Sequence, residues 1–143
     1  EYNPENYQKL LIPILNKETK AVYGSRVLKG GKRKRPKNIM IWLSKLANFF
    51  LIFLSNLLNG QNLTDAHTCY KLITRDLIEN INLVENGFNF CPELTAKISK
   101  LKIKIIEIPI DYYGRTHLER KKISIKDGFS AIYATIRYNL FKS

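Results

Sequence analysis

The sequence predicts an α/β fold, and three observations carry that prediction. Short β-branched and aromatic runs alternate along the chain with stretches of helical apolar spacing. The 143 residues are enough for one domain and too few for two ordinary ones. Hydrophobic residues make up 45% and charged residues 25%, a balance that gives a packed core rather than a disordered chain.

Taken in order, Asn3-Pro4-Glu5-Asn6 carries turn and helix-start chemistry, with Pro4 suited to a first helical position. Tyr7, Leu10, Leu11, Ile14 and Leu15 then recur at helical spacing. Ala21 to Ser25 reads as a short strand ending in a turn at Gly24. Lys29 to Lys37, with Gly30, Gly31 and Pro36 among lysines and arginines, reads as a flexible basic loop.

Ile39 to Asn59 is the most apolar segment, and roughly 20 apolar residues suffice to span a bilayer. Its polar residues argue against a span. Ser44, Lys45, Asn48, Ser55, Asn56 and Asn59 fall within one arc of about 120° at ~100° per residue. The segment is therefore predicted as an amphipathic helix, or a bent helix pair, packed on the domain and touching the membrane interface.

Tyr70 to Ile73 is a predicted strand, and Thr74 is the N-cap of a short helix through Ile81. Gly87 to Phe90 reads as a loop, and Pro92 opens a helix ending near Lys100. Lys104 to Ile110 is a predicted strand and Tyr112 to Lys122 a polar, basic loop. Within it, Tyr112 and Tyr113 read best as strand residues with one face buried. Ser124, with Asp127 three residues on, gives a capping-box-like start to a last helix through Leu140. Its face of Phe129, Ile132, Tyr133, Ile136 and Leu140 reads as core.

Twenty-four Lys and Arg against 12 Asp and Glu give a formal net charge of +12. Such an excess calls for an anionic partner: nucleic acid, a phosphate-bearing substrate or an anionic membrane. No recognised nucleic-acid motif is present and the aromatics are not interleaved with the basic run, so no nucleic acid is expected. A basic nucleic-acid- or membrane-binding module without catalysis is the alternative class. Cys69 and Cys91 lack metal or CxxC spacing and read as reduced thiols in a cytoplasmic setting.

Five segments, in order, give a specific resemblance: Glu1 to Glu5, Tyr23-Gly24-Ser25-Arg26, Leu63 to Lys71, Phe88 to Glu93, and Glu107 to Arg115. Together they resemble family 2 glycosyltransferases, in particular the dolichol-phosphate mannosyltransferase group and its bacterial homologues. The resemblance covers nearly the whole chain. It implies a mixed sheet with flanking helices, the C-terminal, acceptor-side part of a GT-A (nucleotide-diphospho-sugar transferase) fold, with the nucleotide-binding half upstream. It further implies a nucleotide-sugar donor, a lipid-phosphate acceptor, and peripheral contact with the cytoplasmic face of a membrane. A divalent metal, Mg2+ or Mn2+, is expected, with Glu1 as auxiliary ligand and the main ligands upstream of the chain.

The same resemblance assigns roles to residues. Asp65 is the first choice for a catalytic or site-organising carboxylate. Arg26, Lys71, Arg33 and Arg35 are expected at the acceptor phosphate, for which a guanidinium fork is suited. Lys71 stands where the family's motif has arginine, which keeps the charge and loses the fork. Arg115, Lys121 and Lys122 are expected at the donor pyrophosphate, although Arg120 stands where relatives have a glycine. Glu93 is expected in the sugar pocket, against the plainer account of a carboxylate favoured in a first helical turn. His67 has no Cys or His at ligand spacing, which argues against a metal site there.

Overall fold

The computed structural model describes residues 2–31, 33–34, 39–113 and 125–141. Helix α1 (Asn6–Leu15) leads into β1 (Ala21–Ser25), the two-residue β2 (Arg33–Lys34) and the long α2 (Ile39–Asn59). Then come β3 (Lys71–Ile73), α3 (Arg75–Glu79), α4 (Phe90–Lys100), β4 (Ile105–Pro109), β5 (Tyr112–Tyr113) and α5 (Ile125–Leu140). The class is α/β, as the alternation predicts.

The main sheet has the order β3-β1-β4, with β1 antiparallel to β3 and parallel to β4. Side chains alternate across a strand, and β1 uses both faces. Ala21 and Tyr23 enter a core with Leu77, Leu94, Ile98 and Ile105. Val22 points the other way, to Leu10 of α1 and Ile110. All five residues of β1 are buried, which places this strand at the centre of the domain. On the α4 side, Ala96 packs with Ala134 and Tyr138 of α5, and α2 lies against α4 and α5.

Several local expectations are corrected. The basic run is not wholly loop, because β2 pairs in parallel with β5 through Arg33 opposite Tyr112 and Lys34 opposite Tyr113. A Cβ on Gly31 would collide with the Ile110 carbonyl, so this glycine lets the run approach the strand end. Gly87–Asn89 forms a 3₁₀ turn that runs directly into α4, two residues before Pro92. The apolar face read as the core of α5 is largely outside: Phe129, Tyr133 and Leu140 are exposed, while Ala131, Ala134, Thr135 and Tyr138 are buried. A face of small residues packs closely on α4, and a purely hydropathic reading misses it.

Helix α2 packs on the domain against α4 and α5, as the amphipathic reading expects, and the C-terminal end of its polar stripe turns inward. Ser55 and Asn59 are buried. Phe49 and Phe53 are 68% and 57% exposed, and Leu46, Phe50 and Leu57 are exposed with them. Among the described residues, no helix is long and apolar enough to cross a membrane.

Candidate functional site

The site forms where β1 ends against the segment that leads into β3. Gly24 donates its N–H to the Tyr70 carbonyl at 2.8 Å, and a Cβ there would lie 2.8 Å from Ile110 Cδ1 and 3.0 Å from Tyr70 Cβ. The small residue thus lets β1 finish tightly packed, with Ser25 and Arg26 leaving toward Thr64 and Asp65. Ser25 Oγ meets Thr64 Oγ1 at 2.7 Å and accepts from the N–H groups of Val27 and Leu28 at 3.1 and 3.2 Å. That hydroxyl fixes the turn that carries Arg26.

Arg26 and Asp65 form a two-pronged pair. Nε donates to Oδ2 at 2.6 Å, Nη2 to Oδ1 at 2.7 Å, and the Arg26 backbone N–H adds a bond to Oδ2 at 3.0 Å. The Asp65 side chain is 1% exposed and that of Arg26 19%. A guanidinium has five N–H donors, so the edge turned away from Asp65 keeps donors for another anion. Tyr112 lies under the guanidinium, 5.3 Å from ring centre to carbon. Tyr2 packs between Tyr112 and Tyr70, with centroids at 5.1 and 4.6 Å, and burial pushes its phenol up to about 12.

Glu107 of β4 organises the opposite side of the turn. Its Oε2 accepts from Thr64 N at 2.7 Å and Thr64 Oγ1 at 2.8 Å, and its Oε1 accepts from Asp65 N at 2.8 Å. The carboxylate therefore fixes the peptide that carries Asp65, while Arg26 fixes its side chain. Glu107 lies in one of the resembling segments, yet an isolated glutamate in a strand gives no spacing signal that marks it as a site residue.

Lys71 turns inward. Its ammonium donates to the carbonyls of Ala66, at 3.0 Å, and Thr68, lies 3.5 Å from Cys91 Sγ, and sits 4.5 Å from the centre of the Tyr23 ring. Burial lowers its proton affinity. With its three N–H groups so directed, Lys71 holds the turn that follows Asp65.

Glu93 is buried away from this turn. It accepts from Val84 N at 3.0 Å, Glu85 N at 2.9 Å and Lys97 Nζ at 2.7 Å. Burial works to raise its proton affinity, but Lys97 and the two N–H groups outweigh that and hold it below the usual carboxylate range. These bonds give Glu93 a structural task, tying the segment before α4 to the helix. Arg33 is described by its backbone in β2, beside Tyr112. Glu1, Arg35, Arg115, Lys121 and Lys122 lie outside the described residues. Among the described residues, no three His, Cys, Asp or Glu side chains converge on a metal position.

With this geometry in place, two relatives are informative. Over 99% of its length, the chain is 24% identical to the UDP-N-acetylglucosamine–dolichyl-phosphate N-acetylglucosaminyltransferase of Methanococcus voltae, covering 56% of that protein. Over 84% of its length it is 27% identical to the undecaprenyl-phosphate mannosyltransferase of Micrococcus luteus, covering 48% of it. Both are polyprenyl-phosphate glycosyltransferases. The chain spans about half the length of these relatives. No family model and no solved structure matches it.

Proposed function

We propose that this chain is the acceptor side of a glycosyltransferase that moves a sugar from a nucleotide-sugar donor to a polyprenyl (dolichyl or undecaprenyl) phosphate. The observation that carries the reading is the Arg26–Asp65 pair, set on a turn fixed by Glu107, with one edge of the guanidinium turned away from its partner. The names of the two relatives supply the reaction class.

The chemistry asks little of a base. An acceptor phosphate is already ionised, so its oxygen attacks the sugar C1 without giving up a proton. The bond from C1 to the donor diphosphate breaks, and its electrons leave with the nucleoside diphosphate. What the acceptor side must supply is orientation and positive charge. Arg26 grips the phosphate with its outer edge. Asp65, enclosed by Arg26, is the group that positions it, the site-organising alternative of the sequence reading. Arg115, Lys121 and Lys122 are proposed to meet the negative charge that develops on the leaving diphosphate. A divalent ion, Mg2+ or Mn2+, is proposed at that same diphosphate, with ligands outside the described residues.

The acceptor is a lipid, and the exposed face of α2 supports docking on a bilayer. Leu46, Phe49, Phe50, Phe53 and Leu57 recur at helical spacing on the outside, and the basic run Lys29 to Lys37 precedes them. Apolar insertion and headgroup attraction reinforce each other in such an arrangement. The free thiols Cys69 and Cys91 are in keeping with the cytoplasmic face.

The test is transfer by the full-length protein from a labelled nucleotide sugar to a short polyprenyl phosphate in mixed micelles. Arg26→Met is expected to reduce kcat/KM for the acceptor by about 100-fold, the worth of a charge-assisted bidentate contact. Unchanged transfer in that variant would remove Arg26 from the acceptor site. No transfer with any polyprenyl phosphate, together with salt-dependent RNA binding, would replace the reading with the non-catalytic one.

A further inference from the structure

The fold brings the ammonium of Lys71 against the thiol of Cys91 across 20 residues of sequence. Strand β3 supplies the lysine, and the first turn of α4 supplies the cysteine. Nζ lies 3.5 Å from Sγ, in direct contact. The other sides of the ammonium are closed by the carbonyls of Ala66 and Thr68 and by the Tyr23 ring, whose centre is 4.5 Å away. That wall is itself fixed. The Tyr23 hydroxyl meets Thr95 Oγ1 at 3.1 Å, and Thr95 Oγ1 donates to the Cys91 carbonyl at 2.9 Å. Nζ and Sγ are thereby held facing each other.

Hydrogen bonding alone gives little reason for this contact, because sulfur is a weak acceptor. Its reactivity gives a better one. Cys91 is partly exposed, so a small oxidant reaches Sγ while the lysine stays inside. A thiol that touches a cation and remains accessible is the setting in which oxidation is site-selective. The sulfenic acid formed first reacts readily with a neighbouring nitrogen or thiol. At Cys91 that neighbour is Nζ. Burial lowers the proton affinity of Lys71, which favours the free amine that such an attack needs.

We propose that Cys91 and Lys71 form a peroxide-responsive modification site, in which oxidation joins Sγ to Nζ as a sulfenamide. Hydrogen peroxide is the oxidant. Its O–O bond breaks, one oxygen passes to sulfur to give the sulfenic acid, and the other leaves as water. The Lys71 amine then attacks sulfur. The S–N bond forms, the S–O bond breaks, and hydroxide departs with a proton from the amine as a second water. A thiol reductant reverses the bridge by attacking sulfur and releasing the amine. A further thiol then frees Cys91, and the reductant ends as its disulfide. In the bridged state the nitrogen has lost its charge and keeps a single N–H, so it no longer holds both the Ala66 and the Thr68 carbonyls. The turn that follows Asp65 is loosened. Its effect on sugar transfer rests on the reaction proposed above, whereas the bridge itself does not.

The experiment treats the full-length protein with hydrogen peroxide, beside its Cys69→Ser, Cys91→Ser and Lys71→Arg variants. In the unmodified protein and in Cys69→Ser, mass spectrometry of the digest is expected to find a peptide pair joining Cys91 to Lys71. The pair is lighter than its two peptides together by two hydrogen atoms, and dithiothreitol separates it. Cys91→Ser and Lys71→Arg form no bridge. Amide hydrogen exchange over residues 64–70 quickens by about tenfold on oxidation, the worth of one hydrogen bond from a charged group, and slows again on reduction. Sugar transfer falls and recovers in step, and in Cys91→Ser neither exchange nor transfer changes. A Cys91 that stays unreacted, stops at a sulfinic acid or pairs with Cys69 overturns the inference. So does a bridge that leaves exchange over residues 64–70 unaltered. If the bridge forms and exchange quickens in a protein that transfers no sugar, the reaction assignment fails and the modification site stands.

Discussion

The energetics of the Arg26–Asp65 pair set a measurable demand on the fold. Asp65 is enclosed, with both carboxylate oxygens engaged by Arg26, whose own side chain keeps a 19% exposed edge. Breaking one partner of a buried pair costs about 3–5 kcal/mol because the other charge stays behind without its counter-ion. The wet edge of the guanidinium places Asp65→Leu at the lower end, about 3 kcal/mol, and Arg26→Met is expected at a similar value. Replacing both with apolar side chains removes both charges, which by itself is often close to neutral. What remains is the backbone N–H of residue 26, which loses its acceptor at a cost of about 1–3 kcal/mol. The double variant should therefore be at least as stable as either single one, giving a coupling of about 3–5 kcal/mol. Urea unfolding of all four proteins reads this directly, as shifts in midpoint at constant slope. If the two substitutions add to within about 0.5 kcal/mol, the pair is not the closed unit described above.

Three further outcomes follow from other parts of the structure. Gly24→Ala forces a methyl against Ile110 and Tyr70 and should cost about 1–3 kcal/mol. It is read as a lower Tm by calorimetry, together with weaker acceptor binding, because Arg26 is displaced. Glu93, held below the usual carboxylate range, contributes stability that is present above about pH 4.3 and is lost as pH falls through its lower folded value. In a series of melts from about pH 6 to pH 2, Glu93→Gln should flatten that acid limb, and an unchanged limb would move the effect to another carboxylate. Phe50→Ser with Phe53→Ser should leave Tm nearly unchanged, since both rings are exposed. Sedimentation with anionic vesicles should weaken by about tenfold or more per ring, from about 1.5–3 kcal/mol of lost apolar burial each.

What the sequence made legible follows from where its signals come from. Strand β1 was readable because Val22 and Tyr23 precede a glycine turn, and its burial on both faces agrees with that run. Tyr112 and Tyr113 were readable as strand for the same reason of side-chain type. Their partner β2 was not, since Arg33 and Lys34 have no β signal and pair only because Gly31 lets the chain reach Ile110. Arg26 and Asp65 were visible as chemistry-bearing types, but not as a pair, because 39 residues separate them and only the end of β1 brings them together. Glu107 was invisible as a site residue. A carboxylate that accepts backbone N–H groups from a distant turn has no periodicity or motif of its own. Lys71 and Glu93 lie in resembling segments, and what the sequence does not reveal is that the fold directs their polar atoms inward, to backbone carbonyls and N–H groups.

The inversion of α2 now has a physical reason. A surface helix ordinarily buries its apolar stripe, since each large side chain removed from water contributes about 1.5–3 kcal/mol. This helix leaves Leu46, Phe49, Phe50, Phe53 and Leu57 outside. Its inner face is occupied by groups with specific work. Asn56 donates its amide to the Leu63 carbonyl at 2.8 Å and accepts the Leu63 N–H at 2.8 Å, gripping the backbone two residues before Asp65. Asn59 donates to the Ser55 carbonyl at 2.7 Å and to its hydroxyl at 3.1 Å within the same buried stripe. Rotating the helix to hide its phenylalanines would break the Asn56 clasp and release the segment that Glu107 and Arg26 hold from their own sides. The polar stripe therefore faces the domain because the turn at Asp65 needs it. The apolar stripe left outside is the surface proposed above to dock on a bilayer, where, unlike in water, it is not penalised. If the proposed docking holds, the same helix meets lipid on one side and fixes the turn at Asp65 on the other.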